Sequence, residues 1–198
     1  FGNLMGGLIA LRMGLPVRKF VISTNANGEV PEFLGTGTYK PIVPSINCIS
    51  SAMNVGHPSN LARIVALYNG IMNEKGEMLK QPDMKLMLEN LAGIAVSDAD
   101  TRETIMNCYK RHSILLEPHG AVAWKGLMEY TKDLLIPEEQ LSVSLETAHP
   151  AKFPEEIIKI TGKSPDLPVS LSGLETKKEN YELMENSYEK LKEFLLKN

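Results

Sequence analysis

The sequence predicts an α/β protein built on a mostly parallel sheet with flanking helices. Apolar runs of strand length stand at residues 19–24, 94–96, 114–116 and 141–145. Each leads through a polar elbow into a stretch whose apolar residues recur at helical spacing, the alternation that builds parallel sheets with right-handed crossovers. The elbows near residues 24, 117 and 147 then share one edge of the sheet. Ligands of open α/β sheets bind in the crevice at such an edge.

The elements follow in chain order. Leu4, Met5, Leu8, Ile9, Leu11 and Met13 recur at helical spacing, and Gly14-Leu15-Pro16 stops the helix they imply. Gly6, Gly7 and Ala10 let that helix lie close against a sheet or a ligand. Gly2-Asn3 falls at its first turn, where unpaired backbone N–H groups and the helix dipole favour an anion; an ordinary N-cap is the competing explanation. Residues 19–24 are nearly continuously apolar, as in a strand buried on both faces, and end in the polar run Thr24-Asn25-Ala26-Asn27-Gly28. A short helix at 30–34, turns at 35–37 and 41–44, and a small, polar stretch at 50–60 lead to helical spacing at 61–68. Residues 70–92 are Met-rich without a sharp period and are expected to form a helical excursion.

From Gly93 the rhythm resumes. Ile94-Ala95-Val96 reads as a strand, and Ser97 or Asp98 caps a helix to about Arg111. Ile114-Leu115-Leu116 reads as a strand that ends in Glu117-Pro118-His119-Gly120, before a helix rich in small residues at 121–130. Leu141, Val143 and Leu145 alternate with Ser142 and Ser144, the pattern of a strand with one apolar face. The elbow Glu146 to Phe153 follows, and Pro154-Glu155-Glu156 opens a helix over 155–160. Residues 1–162 thus form one α/β body. Residues 163–198 form a linker and a carboxyl-terminal helix whose stripe of Tyr181, Met184, Tyr188, Leu191 and Leu195 is expected to pack on that body.

Composition narrows the function. The net charge is −3 with both signs interspersed, so no basic face for nucleic acid is present. No apolar run approaches the ~20 residues of a membrane span. Two cysteines in 198 residues argue for reduced thiols and a cytoplasmic setting. His57, His119 and His149 come from distant loops without close-spaced partners, so no metal site is expected. Gly162-Lys163-Ser164 lacks the upstream glycine of a phosphate loop. The chain begins at Phe1, not Met, and enters a helix at once, so we expect it to be cut inside a functional loop.

Taken together, these segments resemble one family. Phe1-Gly2-Asn3-Leu4, Gly7-Leu8-Ile9-Ala10 and Met13-Gly14-Leu15-Pro16 are similar to the phosphate loop and following helix of threonine synthases. So are Thr24-Asn25-Ala26-Asn27 with Val30-Pro31, the segment from Leu34 to Pro41, and Ala52-Met53 through Pro58-Ser59-Asn60. Glu117-Pro118-His119 with Ala121-Val122-Ala123, and Thr147-Ala148-His149-Pro150-Ala151-Lys152-Phe153, complete the set. The matches run in the family's order from Phe1 to about Leu167, in the carboxyl-terminal part of the longer bacterial and fungal type of the enzyme.

The resemblance implies a partial pyridoxal-phosphate-dependent domain of fold type II, the tryptophan-synthase-β type. It implies an enzyme that converts O-phosphohomoserine and water to threonine and phosphate. It implies that Phe1, Gly2 and Asn3 hold the phosphate of pyridoxal 5'-phosphate and that Thr147 faces the pyridine nitrogen, a neutral hydroxyl where a carboxylate would keep the ring protonated. His149, Lys152, His119 and Asn25 become candidates for substrate contact. No lysine here has the surroundings of the Schiff-base lysine, so none of the chain's residues is assigned as catalytic. That lysine is expected upstream of Phe1, and the isolated chain is expected to be inactive. Ser51 and Asn54 stand where the family commonly has Asn and Asp. A phospho-lyase of the same family, or a non-catalytic fragment that keeps only an anion site, are the alternative readings. The missing amino-terminal part is the expected partner, and the exposed cut surface is expected to promote self-association.

Overall fold

The computed structural model describes residues 1–135, 140–174 and 176–197. The chain divides into two units, Phe1–Asp166 and Leu167–Asn198. The first is organised around two parallel strands, β1 (Phe20–Thr24) and β4 (Leu91–Ala95), in register from Phe20 opposite Leu91 to Thr24 opposite Ala95. Side chains alternate across the pair, and that alternation distributes the helices. Ile22 and Gly93 face α2 (Glu29–Thr36), where a Cβ on Gly93 would stand 2.6 Å from Pro31 Cα. Ser23 faces the other way, onto α6 (Pro118–Thr131), where Gly126 leaves room for its hydroxyl. Helix α1 (Gly2–Arg12) lies against Phe20 through Gly7, on the α2 side.

The main core joins Leu8, Ile22, Val30, Phe33 and Leu91 to Leu61, Ile64 and Val65 of α3 (Leu61–Leu67) and to Tyr68 and Met87. A smaller core of Ile105, Ala121 and Ile157 joins α6 to α5 (Asp98–His112) and α7 (Pro154–Thr161). Helix ends follow local chemistry. Ser97 Oγ accepts the Asp100 N–H at the start of α5, and Asp83 accepts the Leu86 N–H at the start of α4 (Met84–Asn90).

Four expectations need correction. Residues 70–92 are only partly helical: β2 (Ile71–Met72) and β3 (Met78–Lys80) form an antiparallel hairpin before α4. Asn73 accepts the N–H groups of Lys75 and Glu77 through its side chain, and Gly76 adopts φ +83°, so the turn chemistry sets the hairpin where no hydrophobic period marks it. Residues 114–116 and 141–145 form no strand. Leu115 and Leu116 are instead taken up by the smaller core, while Leu141, Val143 and Leu145 are exposed. An alternating pattern becomes a strand only where a neighbour completes the hydrogen-bond ladder, and among the described residues none does. The carboxyl-terminal helix is shorter than its stripe suggests, α8 (Tyr188–Lys197) within the second unit. Ser187 Oγ accepts the Lys190 N–H and so caps the helix, leaving Tyr181 and Met184 upstream of it.

Candidate active-site rim

The carboxyl end of β1 runs into a lattice of asparagines. Asn25 is 1 % exposed, and its Oδ1 accepts the Asn27 N–H at 3.0 Å. Its Nδ2 donates to Ser50 Oγ at 3.2 Å and to Asn54 Oδ1 at 3.0 Å. Asn27 exchanges two hydrogen bonds with the backbone of Ile46, and Ile49 donates its N–H to the Asp98 carboxylate. Asn25 therefore holds the loop from residue 46 to 54 in place, with its own polar atoms occupied inside the lattice. Asn54 Nδ2 donates to Asn47 Oδ1, a bond that a carboxylate at this position could not make.

His119 ties that loop to the start of α6. Its Nε2 accepts the Ala52 N–H at 3.1 Å, so the ring proton sits on Nδ1 and is donated to the Glu117 carboxylate. The imidazole also stacks at a tilt on Phe153, with centroids 5.1 Å apart. One histidine thus joins two of the elbows that the sequence places on a common edge, those at 117 and 147, to the loop at Ala52. Beneath it Glu117, 0 % exposed, accepts the Gly120 N–H at 2.7 Å and the His119 N–H at 2.9 Å. Burial disfavours its charge, but hydrogen bonds from His119, Glu146 and the two backbone N–H groups prevail and hold its pKa down to about 2. Burial and the adjoining Glu117 charge push the Glu146 carboxyl the other way, up to about 8.

The remaining candidates lie on the exposed elbow that follows. Thr147 and His149 are exposed; His149 Nδ1 accepts the Ala151 N–H and so caps the short 3-10 turn Pro150–Lys152. Lys152 is exposed and lines a cavity of about 360 Å³ with Phe153, Pro154, Glu155 and Glu156. Phe1 packs on the main core, while Gly2 and Asn3 are exposed in the first turn of α1. No side chain caps that turn, and a Cβ on Gly2 would meet nothing within 4 Å. Backbone N–H groups left open at a helix start are a donor set that an anionic group can take. Among the described residues no hydrogen bond or ring contact ties Phe1, Gly2 or Asn3 to the His119 rim, and no cluster of His, Cys, Asp and Glu has the makings of a metal site.

Sequence reasoning passed over Glu117 and Glu146 as chemistry, although a glutamate directly before Pro-His-Gly at a helix start is itself a capping signal. It also passed over Glu29. That carboxylate is 1 % exposed in the first turn of α2, its two oxygens have no hydrogen-bond partner, and burial raises its pKa.

The chain is similar in sequence and fold to proteins of one family. The family model described as "Threonine synthase, C-terminal" matches residues 121–195. The chain is 34% identical over 199 residues to the threonine synthase of Haemophilus influenzae, covering 100% of this chain and 42% of that protein. It is 36% identical over 172 residues to that of Escherichia coli K12, covering 87% of this chain and 36% of the relative. A crystal structure of pyridoxal-phosphate-bound threonine synthase from Brucella melitensis superposes with a TM-score of 0.82 at 26% identity, over 98% of this chain and 43% of that one. The structure from Escherichia coli superposes with a TM-score of 0.70 at 34% identity, over 87% and 36%. The fold is therefore that of the α/β enzymes that work with pyridoxal phosphate. The chain belongs to the threonine synthase family and corresponds to the carboxyl-terminal part of those enzymes. It spans 42% and 41% of the length of two of its curated relatives.

Proposed function

We propose that this chain forms one wall of a threonine synthase active site, in which O-phosphohomoserine and water give threonine and phosphate. The observation that carries the reading is the gathering of the loops at residues 25–27, 46–54, 117–120 and 146–153 around His119 and Asn25. Pyridoxal phosphate would supply the electron sink that lets a proton leave the substrate and the γ-phosphate depart. The chain's own residues bind and orient. Gly2 and Asn3, with the backbone beside them, offer N–H groups to the cofactor phosphate. Thr147 presents a neutral hydroxyl to the ring nitrogen. Lys152 and His149, on the exposed elbow, are placed to meet the substrate phosphate. His119 holds the Ala52 loop and Phe153 in position, and Asn25 does the same for the loop before it, so both act through others. The lysine that binds the cofactor covalently belongs to the part of the family's length outside this chain.

No helix among the described residues is long and apolar enough to cross a membrane. Cys48 and Cys108 are unpaired and buried, which supports a cytoplasmic enzyme.

The test is an assay of the full-length protein with O-phosphohomoserine. Threonine and phosphate in equal amounts are the expected products. Formation of 2-oxobutyrate in place of threonine would assign the protein to a phospho-lyase of the same family, a reading that the replacements at Ser51 and Asn54 keep open. Borohydride reduction of the isolated chain with pyridoxal phosphate should leave no stoichiometric lysine adduct, and one specific adduct would overturn the division of labour proposed here.

A further inference from the structure

We propose that Glu146 is a positioning residue for the elbow that carries Thr147, tied to the start of α6 by a proton it shares with the buried Glu117. The inference rests on the reading that Thr147 faces the cofactor ring.

The Glu117 carboxylate is fixed as the anion of the pair. One of its oxygens accepts the Gly120 N–H, and the other accepts both the His119 N–H and the imidazole proton. Helix α6 also points its positive end at this carboxylate. The Glu146 carboxyl reaches the same helix start, lying over Gly120 where a Cβ would collide with its Oε2. Glycine at position 120 is what admits it. Two carboxyls hydrogen-bond to each other only when one keeps its proton, and the donors around Glu117 leave that role to Glu146.

The surroundings agree. Burial and the Glu117 charge raise the Glu146 pKa to about 8, opposed only by the Ala148 N–H on its own loop. The groups that face it are Glu117 and His119 on α6, whose ring proton is already given to Glu117, and Cys108 on α5. The Cys108 thiol is itself pushed up by burial and by Glu146. Among the described residues no lysine or arginine acts on either carboxyl, so loss of the shared proton sets two negative charges at one helix start. Glu146 is otherwise exposed, and it would swing into solvent and release Thr147.

The experiment uses the full-length enzyme with Glu146→Gln, Glu146→Ala and Gly120→Ala. Glutamine keeps a neutral donor toward Glu117 and does not titrate. Alanine at 146 removes the donor, and alanine at 120 expels the carboxyl while both glutamates remain. The first readout is the midpoint of thermal unfolding against pH. A raised carboxyl pKa means the folded state holds a proton that the unfolded state has lost, so native stability falls as pH rises from about 4.3 to about 8. Glu146→Gln should flatten part of that fall. The second readout is kcat/KM against pH. The native enzyme should lose about tenfold per pH unit above the Glu146 pKa. Glu146→Gln should lack that limb, and both alanine variants should be slowed about tenfold or more throughout.

Unchanged pH dependence of unfolding in Glu146→Gln would refute the shared proton. A flattened unfolding profile with an unchanged kinetic limb would refute the positioning role. If the native enzyme makes no threonine, the functional reading fails and with it the role at Thr147, while the unfolding profile separately decides whether the proton is shared.

Discussion

Replacing Glu29 by methionine should stabilise this chain, and the gain should grow with pH. Glu29 is 1 % exposed, and both of its oxygens lack a partner. Its setting offers little relief: Tyr39 donates its hydroxyl to His57 Nδ1 at 2.8 Å, and His57 in turn bonds the Glu74 carbonyl, so neither group is turned toward the carboxylate. Burial raises the Glu29 pKa and outweighs the opposing pull of its own backbone N–H and of the nearby His57. In the unfolded chain the group ionises near ~4.3. The folded chain therefore binds a proton that the unfolded chain has released, and each pKa unit of that difference costs about 1.4 kcal/mol. The penalty is absent below the unfolded value and grows as pH rises toward the raised folded one. A buried group without a partner costs roughly 1–3 kcal/mol, and methionine of similar size carries no such cost. Urea unfolding of native chain and Glu29→Met at pH 4, 5.5 and 7 measures the difference directly. We expect the smallest gain at the lowest pH and the largest, about 1–3 kcal/mol or more, at the highest. A gain that stays constant with pH, or a net loss, would show that the carboxylate is paid for by something other than proton uptake.

The remaining expectations concern the rim and the sheet. Glu117→Ala strips the cap from α6 and leaves the His119 ring proton without its acceptor, and should cost about 2–5 kcal/mol in urea unfolding; a loss below about 1 kcal/mol would contradict the buried network. The native Glu117 contributes stability above the unfolded carboxylate pKa that disappears as pH falls toward about 2, so acid unfolding of Glu117→Ala should be shallower. Gly93→Ala drives a methyl group into Pro31 Cα at 2.6 Å and should cost about 1–3 kcal/mol, read as a lowered thermal midpoint. Light scattering of the isolated chain should show association that increases with concentration, because among the described residues β1 and β4 pair only with each other and leave open edges; a clean monomer at high concentration would count against this.

Much of this molecule was readable from residue order because the forces involved are local. The apolar run ending at Thr24 does form β1, the Ser97 hydroxyl does cap α5, and Gly14 and Gly162 adopt the positive φ that follows a helix end. The elbow at Glu117-Pro118-His119 and that at Thr147 to Phe153 were visible as polar breaks between apolar periods. What they touch was not. Strand formation at 141–145 depends on a neighbour supplying the other half of the ladder, which no alternation of Leu, Val and Ser encodes. Asn25 looked like a candidate for substrate contact, and the five hydrogen bonds of its side chain arise from residues two to 29 positions away. The opposite fates of Glu117 and Glu146 are decided by Gly120, His119 and burial together. Charge on a carboxyl depends on which donors and which dielectric surround it, and only the folded chain assembles those around a side chain.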